Sequence, residues 1–259
     1  MPLRSIEPNP RVAFATRYES DRLIVVEKPA GVVTQPGVGH EHDTLLNGLF
    51  AAHGSRLQQL GRDRDFGLLH RLDRETSGLV AVALDARAYD ELREAFAARR
   101  VRKHYWAVCH KPPRDESGVI RRAIAEEVRR KDKYTSEKIA RLDRGGKPAV
   151  TAYRVLQTSD SAALIEARPI TGRLHQVRIH LDSIGAGILG DKLYGPKRTT
   201  GASRRLALHA FRLRVPLAGE AVDVRSPLPR DLRRLLRLHE IEPPSASPRK
   251  DAASDDTSE

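Results

Sequence analysis

The apolar residues of this chain are gathered into short β-branched runs, each closed off by charges or turn residues, and that limits what it can fold into. Residues 22–27 (RLIVVE) and 79–84 (LVAVAL) are such runs. Segments of that length and composition fit strands better than helices. Lys28-Pro29-Ala30-Gly31 ends the first run as a turn. No stretch approaches the run of about 18 apolar residues that would predict a transmembrane helix.

Further strands are predicted over residues 102–109 (RKHYWAVC), 149–156, 162–167 and 206–215. Helical spacing lies between them. Leu45, Leu46, Leu49 and Phe50 share a face in a helix capped by Asp43 and running to His53. Ala88, Leu92 and Phe96 do the same over residues 85–99. Leu174, Val177 and Leu181 favour a helix within 172–181, and Leu232, Leu235 and Leu236 mark a basic helix over 231–239. Residues 121–147 are rich in Arg and Lys and poor in large apolar side chains, which predicts an exposed hairpin or insertion. Many strands with irregularly placed helices predict an α+β fold rather than regular βαβ units. Residues 1–21 read as an irregular lead-in, 22–240 as the folded domain, and the Pro-, Ser- and Asp-rich 241–259 as a disordered tail.

Charge narrows the function. Lys plus Arg total 46 against 34 acids, a net charge of +12 and a pI near 10.2, which favours a polyanionic partner, nucleic acid before membrane. A solvated arginine-rich surface is the plainer alternative. Aromatic content of 5% argues against broad base-stacking platforms. The start lacks the apolar stretch of a secretory signal, and a single cysteine, Cys109, cannot close an internal disulfide; both agree with a cytoplasmic protein. No dinucleotide fingerprint, P-loop, C-x-x-C, H-E-x-x-H or G-x-S-x-G occurs, so the usual marks of nucleotide cofactors, zinc and serine hydrolases are missing. His40 and His42 read as loop histidines rather than a metal pair, and Cys109 as a small core residue.

The informative segment is residues 70–78 (HRLDRETSG), set between two apolar runs. A carboxylate at a strand entrance among arginines stays ionised, which suits a nucleophile or base. A polar turn explains the same residues, with Asp73 or Thr76 capping amides and Gly78 in an unusual φ.

Residues 70–79 resemble the signature of the RluA-type RNA pseudouridine synthases, H-R-L-D-x-x-T-S-G-[LVI]. Lys28-Pro29-Ala30-Gly31 resembles that family's early turn, and Lys103, Tyr105 and Ala107 resemble its K-x-Y-x-A segment. Residues 171–180 (TGRLHQVRIH) resemble its G-R-x-H-Q-[IVL]-R-x-H block, Gly190-Asp191 with Tyr194-Gly195 its G-D-x-x-Y-G, and Leu208-His209-Ala210 its late L-H-A. Gly187 stands where the pattern has proline. The resemblance implies a long, bent, largely antiparallel mixed sheet with flanking helices and a central RNA-binding cleft, here without the N-terminal RNA-binding module of some members. It implies isomerisation of uridine to pseudouridine in ribosomal or transfer RNA by a monomer, with no cofactor, metal, DNA or membrane. By the same resemblance Asp73 is the essential aspartate, either attacking the sugar or removing its 2′ proton. Tyr105 lies against the uracil, Arg178 pairs with the aspartate, and Arg71 fills the space left by an extruded base. Arg173, His175 and Gln176 line the site or hold phosphate, and Lys103 contacts the RNA backbone. On residue type alone, Tyr105 reads first as a core aromatic and Arg178 as a surface phosphate contact, and phosphate binding explains Arg71 equally well. Two other functions compete: a non-catalytic RNA-binding protein on the same scaffold, and a carboxylate-dependent hydrolase with Glu75 as acid, for which the basic surface has no purpose.

Overall fold

The computed structural model describes residues 6–130, 136–196 and 203–244. Among them the chain forms β1 (Ala15–Glu19), β2 (Leu23–Lys28), α1 (Leu45–Leu60), β3 (Ser77–Ala83), α2 (Ala86–Ala97), β4 (Arg102–Cys109), β5 (Ser117–Arg121), β6 (Ile124–Arg130), β7 (Ser136–Leu142), β8 (Val150–Thr158), β9 (Ala163–Pro169), α3 (Gln176–Ser183), β10 (Leu208–Leu217), β11 (Glu220–Arg225) and α4 (Arg230–Leu238). The fold is α+β, as expected. Nine strands make one sheet in the order β1-β2-β3-β10-β4-β9-β8-β5, with β11 also paired to β10, and β6 and β7 make a separate hairpin.

Among the described strand pairs only β3 and β10 run parallel, through Ser77 with His209 and Gly78 with Ala210. From Arg212 onward β11 takes over that edge of β10. The short parallel joint therefore sits where the sheet divides. Gly78 makes it possible: its φ is +127°, and a Cβ there would collide with the Ala210 backbone, whose nitrogen would lie 2.6 Å away. His209 secures the joint, fully buried, with Nδ1 2.9 Å from the Ser77 hydroxyl and Nε2 3.2 Å from the Ser226 hydroxyl. Every residue of β3 is buried, which explains the unbroken apolar run where an alternating strand would show polar positions.

The structure shifts several expected boundaries. Thr44, not Asp43, caps α1, in a reciprocal capping box with Asn47, while Asp43 pairs with His40. The helix continues through a kink at His53 to Leu60. Three strands escaped the sequence reading. β1 is a largely exposed strand inside the expected lead-in, and β5 and β11 are short and carry little apolar alternation. Residues 121–147 contain the expected hairpin, β6 with β7. Its base packs Ile124, Ala140 and Leu142 with Ala149, Leu174, Ile179 and Tyr194 in a small second core. Ile241 is buried and Glu242 exchanges hydrogen bonds with Gln157, so packed chain runs past the expected boundary at 240; residues 245–259 lie outside the described residues. No helix among the described residues is long and apolar enough to cross a membrane.

Candidate active site

Asp73 sits in the turn that enters β3, and the turn is pinned on both sides. Thr34 Oγ1 donates to the Leu72 carbonyl at 2.8 Å and accepts from Leu72 N at 3.2 Å. The Arg74 carbonyl accepts from Gly31 N at 2.8 Å and from Lys28 Nζ at 3.1 Å. Lys28 also donates to the Pro29 and Val32 carbonyls, so the early turn and the Asp73 turn share one buried ammonium. Burial lowers the Lys28 pKa to about 7. Thr76 N closes the turn onto the Asp73 carbonyl at 3.1 Å. The Asp73 side chain keeps 25% exposure, enough for a ligand to reach it.

Arg178 projects from α3 and bridges two carboxylates. Its Nε and Nη2 grip Asp191, each at 2.8 Å, in a fork-to-fork pair. Nη1 reaches Asp73 Oδ2 at 3.3 Å. Burial disfavours the guanidinium charge, but Asp191 and then Asp73 more than offset it and hold the Arg178 pKa above its usual value. His175, the residue before α3, adopts a left-handed backbone with φ of 50°, and its Nε2 lies 3.9 Å from Asp73 Oδ2. Its Nδ1 lies 2.9 Å from the Tyr194 hydroxyl. Burial lowers the His175 pKa, which favours the neutral ring.

Tyr105 and Lys103 point to one face of β4, two residues apart. Both line a cavity of about 970 Å3 together with Arg71, Asp73, His175 and Arg178. A nucleotide-sized ligand fits that volume. Burial, reinforced by the Asp73 charge, raises the Tyr105 pKa, so the phenol keeps its proton. Burial lowers the Lys103 pKa to about 8, and among the described residues nothing hydrogen-bonds or pairs with its ammonium. Arg71 is exposed at the cavity wall. Arg173 is half-buried, with Nε donating to the Pro148 carbonyl at 3.2 Å. Gln176 borders the cavity but spends its amide internally. It accepts from Thr171 Oγ1 and Arg173 N and donates to the Val150 carbonyl and Thr151 Oγ1. That braces the turn into α3. The structure thus brings Asp73, Tyr105, Arg178, Lys103, His175, Arg173 and Arg71 to one cavity and gives Gln176 a supporting place beneath it.

Several contributors were not singled out from the sequence. Asp191 and Tyr194 stood in a recognised motif without a role, because Arg178, His175 and Ala140 meet them only on folding. Arg93 in α2 and Arg99 just beyond it also line the cavity. They lie outside every motif, and the helix periodicity drew attention to its apolar face. A Cβ at Gly187 would come within 3.2 Å of Asp182 and Gly195, and the Gly187 carbonyl accepts from His110 N at 3.0 Å, so the segment is held without the proline. His42 pairs with Glu7, and no group of three or more metal-ligating side chains converges among the described residues.

A carboxylate paired with a guanidinium, beside a protonated phenol in a basic cavity, can act on an electron-poor sugar carbon next to a polyanion. Comparison with known proteins points the same way. A sequence model of the RNA pseudouridylate synthase family matches residues 22–183. The chain is 36% identical over 231 residues to a Zymomonas mobilis protein named ribosomal large subunit pseudouridine synthase D, covering 85% of this chain and 71% of that one. It is 38% identical over 230 residues to a protein of the same name from Nitrosomonas europaea, covering 85% of this chain and 63% of that one. Among solved structures it resembles human RNA pseudouridylate synthase domain containing 4, with a TM-score of 0.70 and 29% identity over 89% of this chain and 95% of that one.

Proposed function

The chain belongs to the RNA pseudouridylate synthase family, and from that premise we propose that it converts uridines of ribosomal or transfer RNA to pseudouridine, with Asp73 as the central catalytic residue. The observation that carries this is the arm from Asp191 through Arg178 to Asp73. Arg178 spends Nε and Nη2 on Asp191, leaving Nη1 to hold the Asp73 carboxylate in a cavity with Tyr105.

The reaction breaks the bond from uracil N1 to ribose C1′, turns the base, and joins C5 to C1′, with the proton lost at C5 balanced by one gained at N1. Atoms are conserved, so no oxidant or activated donor is required. The Asp73 carboxylate faces the sugar, oriented by Arg178. The Tyr105 phenol lies against the base and handles the proton at C5. Arg71, at the cavity wall, stacks in the gap left by the extruded nucleotide, offsetting part of an unstacking cost of a few kcal/mol. Lys103, Arg173 and the basic hairpin contact phosphate, and His175 sits beside the carboxylate. Gln176 supports the turn that presents them. The cavity then forms the central part of an RNA-binding cleft, and the 2′-hydroxyl distinguishes RNA from DNA. The names of the two bacterial relatives favour large-subunit ribosomal RNA as substrate, and with it a cytoplasmic site of action.

Asp73→Asn is expected to abolish tritium release from RNA labelled at uridine C5 while RNA affinity stays within several-fold. Full turnover by that variant would remove Asp73 from the mechanism. Mapping pseudouridines across total RNA from cells with and without the protein identifies the target.

A further inference from the structure

The β6–β7 hairpin is joined to the cavity by more than chain connectivity. Ile124, Ala140 and Leu142 at its base pack with Ile179 of α3 and with Tyr194. His180, fully buried in α3, has Nε2 2.9 Å from the Arg122 carbonyl just before the hairpin and Nδ1 2.9 Å from Thr151 Oγ1. The third tie is polar and ends at the carboxylate. Ala140 N in β7 donates to the Tyr194 hydroxyl at 2.8 Å, and that hydroxyl lies 2.9 Å from His175 Nδ1. The Tyr194 ring also sits under Arg178, whose guanidinium carbon is 5.1 Å from its centroid.

Counting protons favours one direction for this chain of hydrogen bonds. The Ala140 amide can only donate, so the phenol oxygen accepts from it. Among the described residues His175 Nδ1 is the one remaining partner for the phenol's own hydrogen. With Tyr194 donating to Nδ1, the neutral ring carries its hydrogen on Nε2, the nitrogen 3.9 Å from Asp73 Oδ2. Burial raises the Tyr194 pKa, so the phenol stays a donor.

We propose that Tyr194 is a positioning residue: its hydroxyl sets the His175 tautomer so that an N–H faces Asp73, and ties that setting to the backbone of the basic hairpin. Hairpin and α3 then move as one body, and RNA seated on the hairpin is felt at Asp73. The inference rests on the proposed function, because it needs a reaction at Asp73 to modulate.

The test uses the full chain and bulk RNA labelled at uridine C5 from cells lacking the protein. Tyr194→Phe keeps the ring over Arg178 and deletes one hydroxyl. Its single-turnover rate at saturating enzyme should fall about tenfold, as for loss of a hydrogen bond near a charge, with RNA affinity changed less than about threefold. Arg130 and Lys138 are exposed on the hairpin. Replacing both with alanine should weaken binding and also lower the rate at saturation. In the Tyr194→Phe background the same pair should weaken binding but cost no further rate, because the tie is already cut. Rate losses that simply add would overturn the coupling. A wild-type rate in Tyr194→Phe, or a loss explained by a matching fall in melting temperature and affinity, would overturn the positioning role. If the wild-type protein releases no tritium from this RNA while binding it, the proposed function fails first, and the two failures are told apart.

Discussion

Arg178→Met is the sharpest probe of how the site is built. The substitution keeps an unbranched side chain of similar reach and removes the guanidinium. Asp73, 25% exposed, can turn to water. Asp191 cannot: its side chain is 1% exposed, and among the described residues it would retain only the Leu193 and Tyr194 amides as donors. Stranding one partner of a buried pair costs about 3–5 kcal/mol. At roughly 2–4 °C per kcal/mol for a domain near this size, the melting temperature should fall by about 6–20 °C. Adding Asp191→Asn removes the stranded charge, and Asn Oδ1 can still accept from the two amides. The double variant should therefore melt well above Arg178→Met, recovering more than half of the loss. Tritium release should be lost in both, because neither holds Asp73. Thermal melts followed by circular dichroism, run beside the tritium assay, separate the effects. A single variant melting within a degree or two of wild type, or a double variant less stable than the single, would refute the claim that Asp191 is held by Arg178.

Two more outcomes follow from neighbouring geometry. Gly78→Ala places a Cβ against the Ala210 backbone at φ of +127°, and should destabilise by about 3 kcal/mol or more, with activity falling as the Asp73 turn is displaced; a melt matching wild type would count against the parallel joint. Lys103, with its pKa lowered to about 8, is charged below that pH and neutral above it, so RNA affinity should drop as pH rises from 7 to 9. Lys103→Arg should remove that pH step, and Lys103→Met should lower the slope of log affinity against log salt by about 1; filter binding across pH and salt reads both.

The elements legible in the sequence were those whose burial left a pattern. The run of β3 was read correctly because both of its faces are covered, and α2 because Asp85 caps it and Leu92 and Ala88 face inward. β1, β5 and β11 were missed because each depends on a neighbouring strand for its hydrogen bonds and presents little apolar alternation of its own. Such strands exist by pairing, and pairing partners are not written locally. The candidate site divides the same way. Asp73, Tyr105 and Arg178 were legible as motif residues, whereas the roles of Asp191 and Tyr194 were not. Each of those two acts only through residues that folding brings to it, Arg178 in one case and His175 with Ala140 in the other.

The turn at residues 70–78 shows why residue type alone could not choose between a structural and a catalytic reading. Both readings describe the same atoms. The left-handed Gly78, the Thr76 amide on the Asp73 carbonyl and the Lys28 ammonium on the Arg74 carbonyl are ordinary turn devices. Together they fix the backbone on both sides of Asp73. Its carboxylate therefore meets Arg178 with little left to order on binding, which is what a preorganised acid group requires. A carboxylate on a looser turn would spend RNA-binding energy on ordering itself. The tight turn is therefore part of what would make the acid effective, and substitutions that loosen it should lower turnover before they unfold the chain.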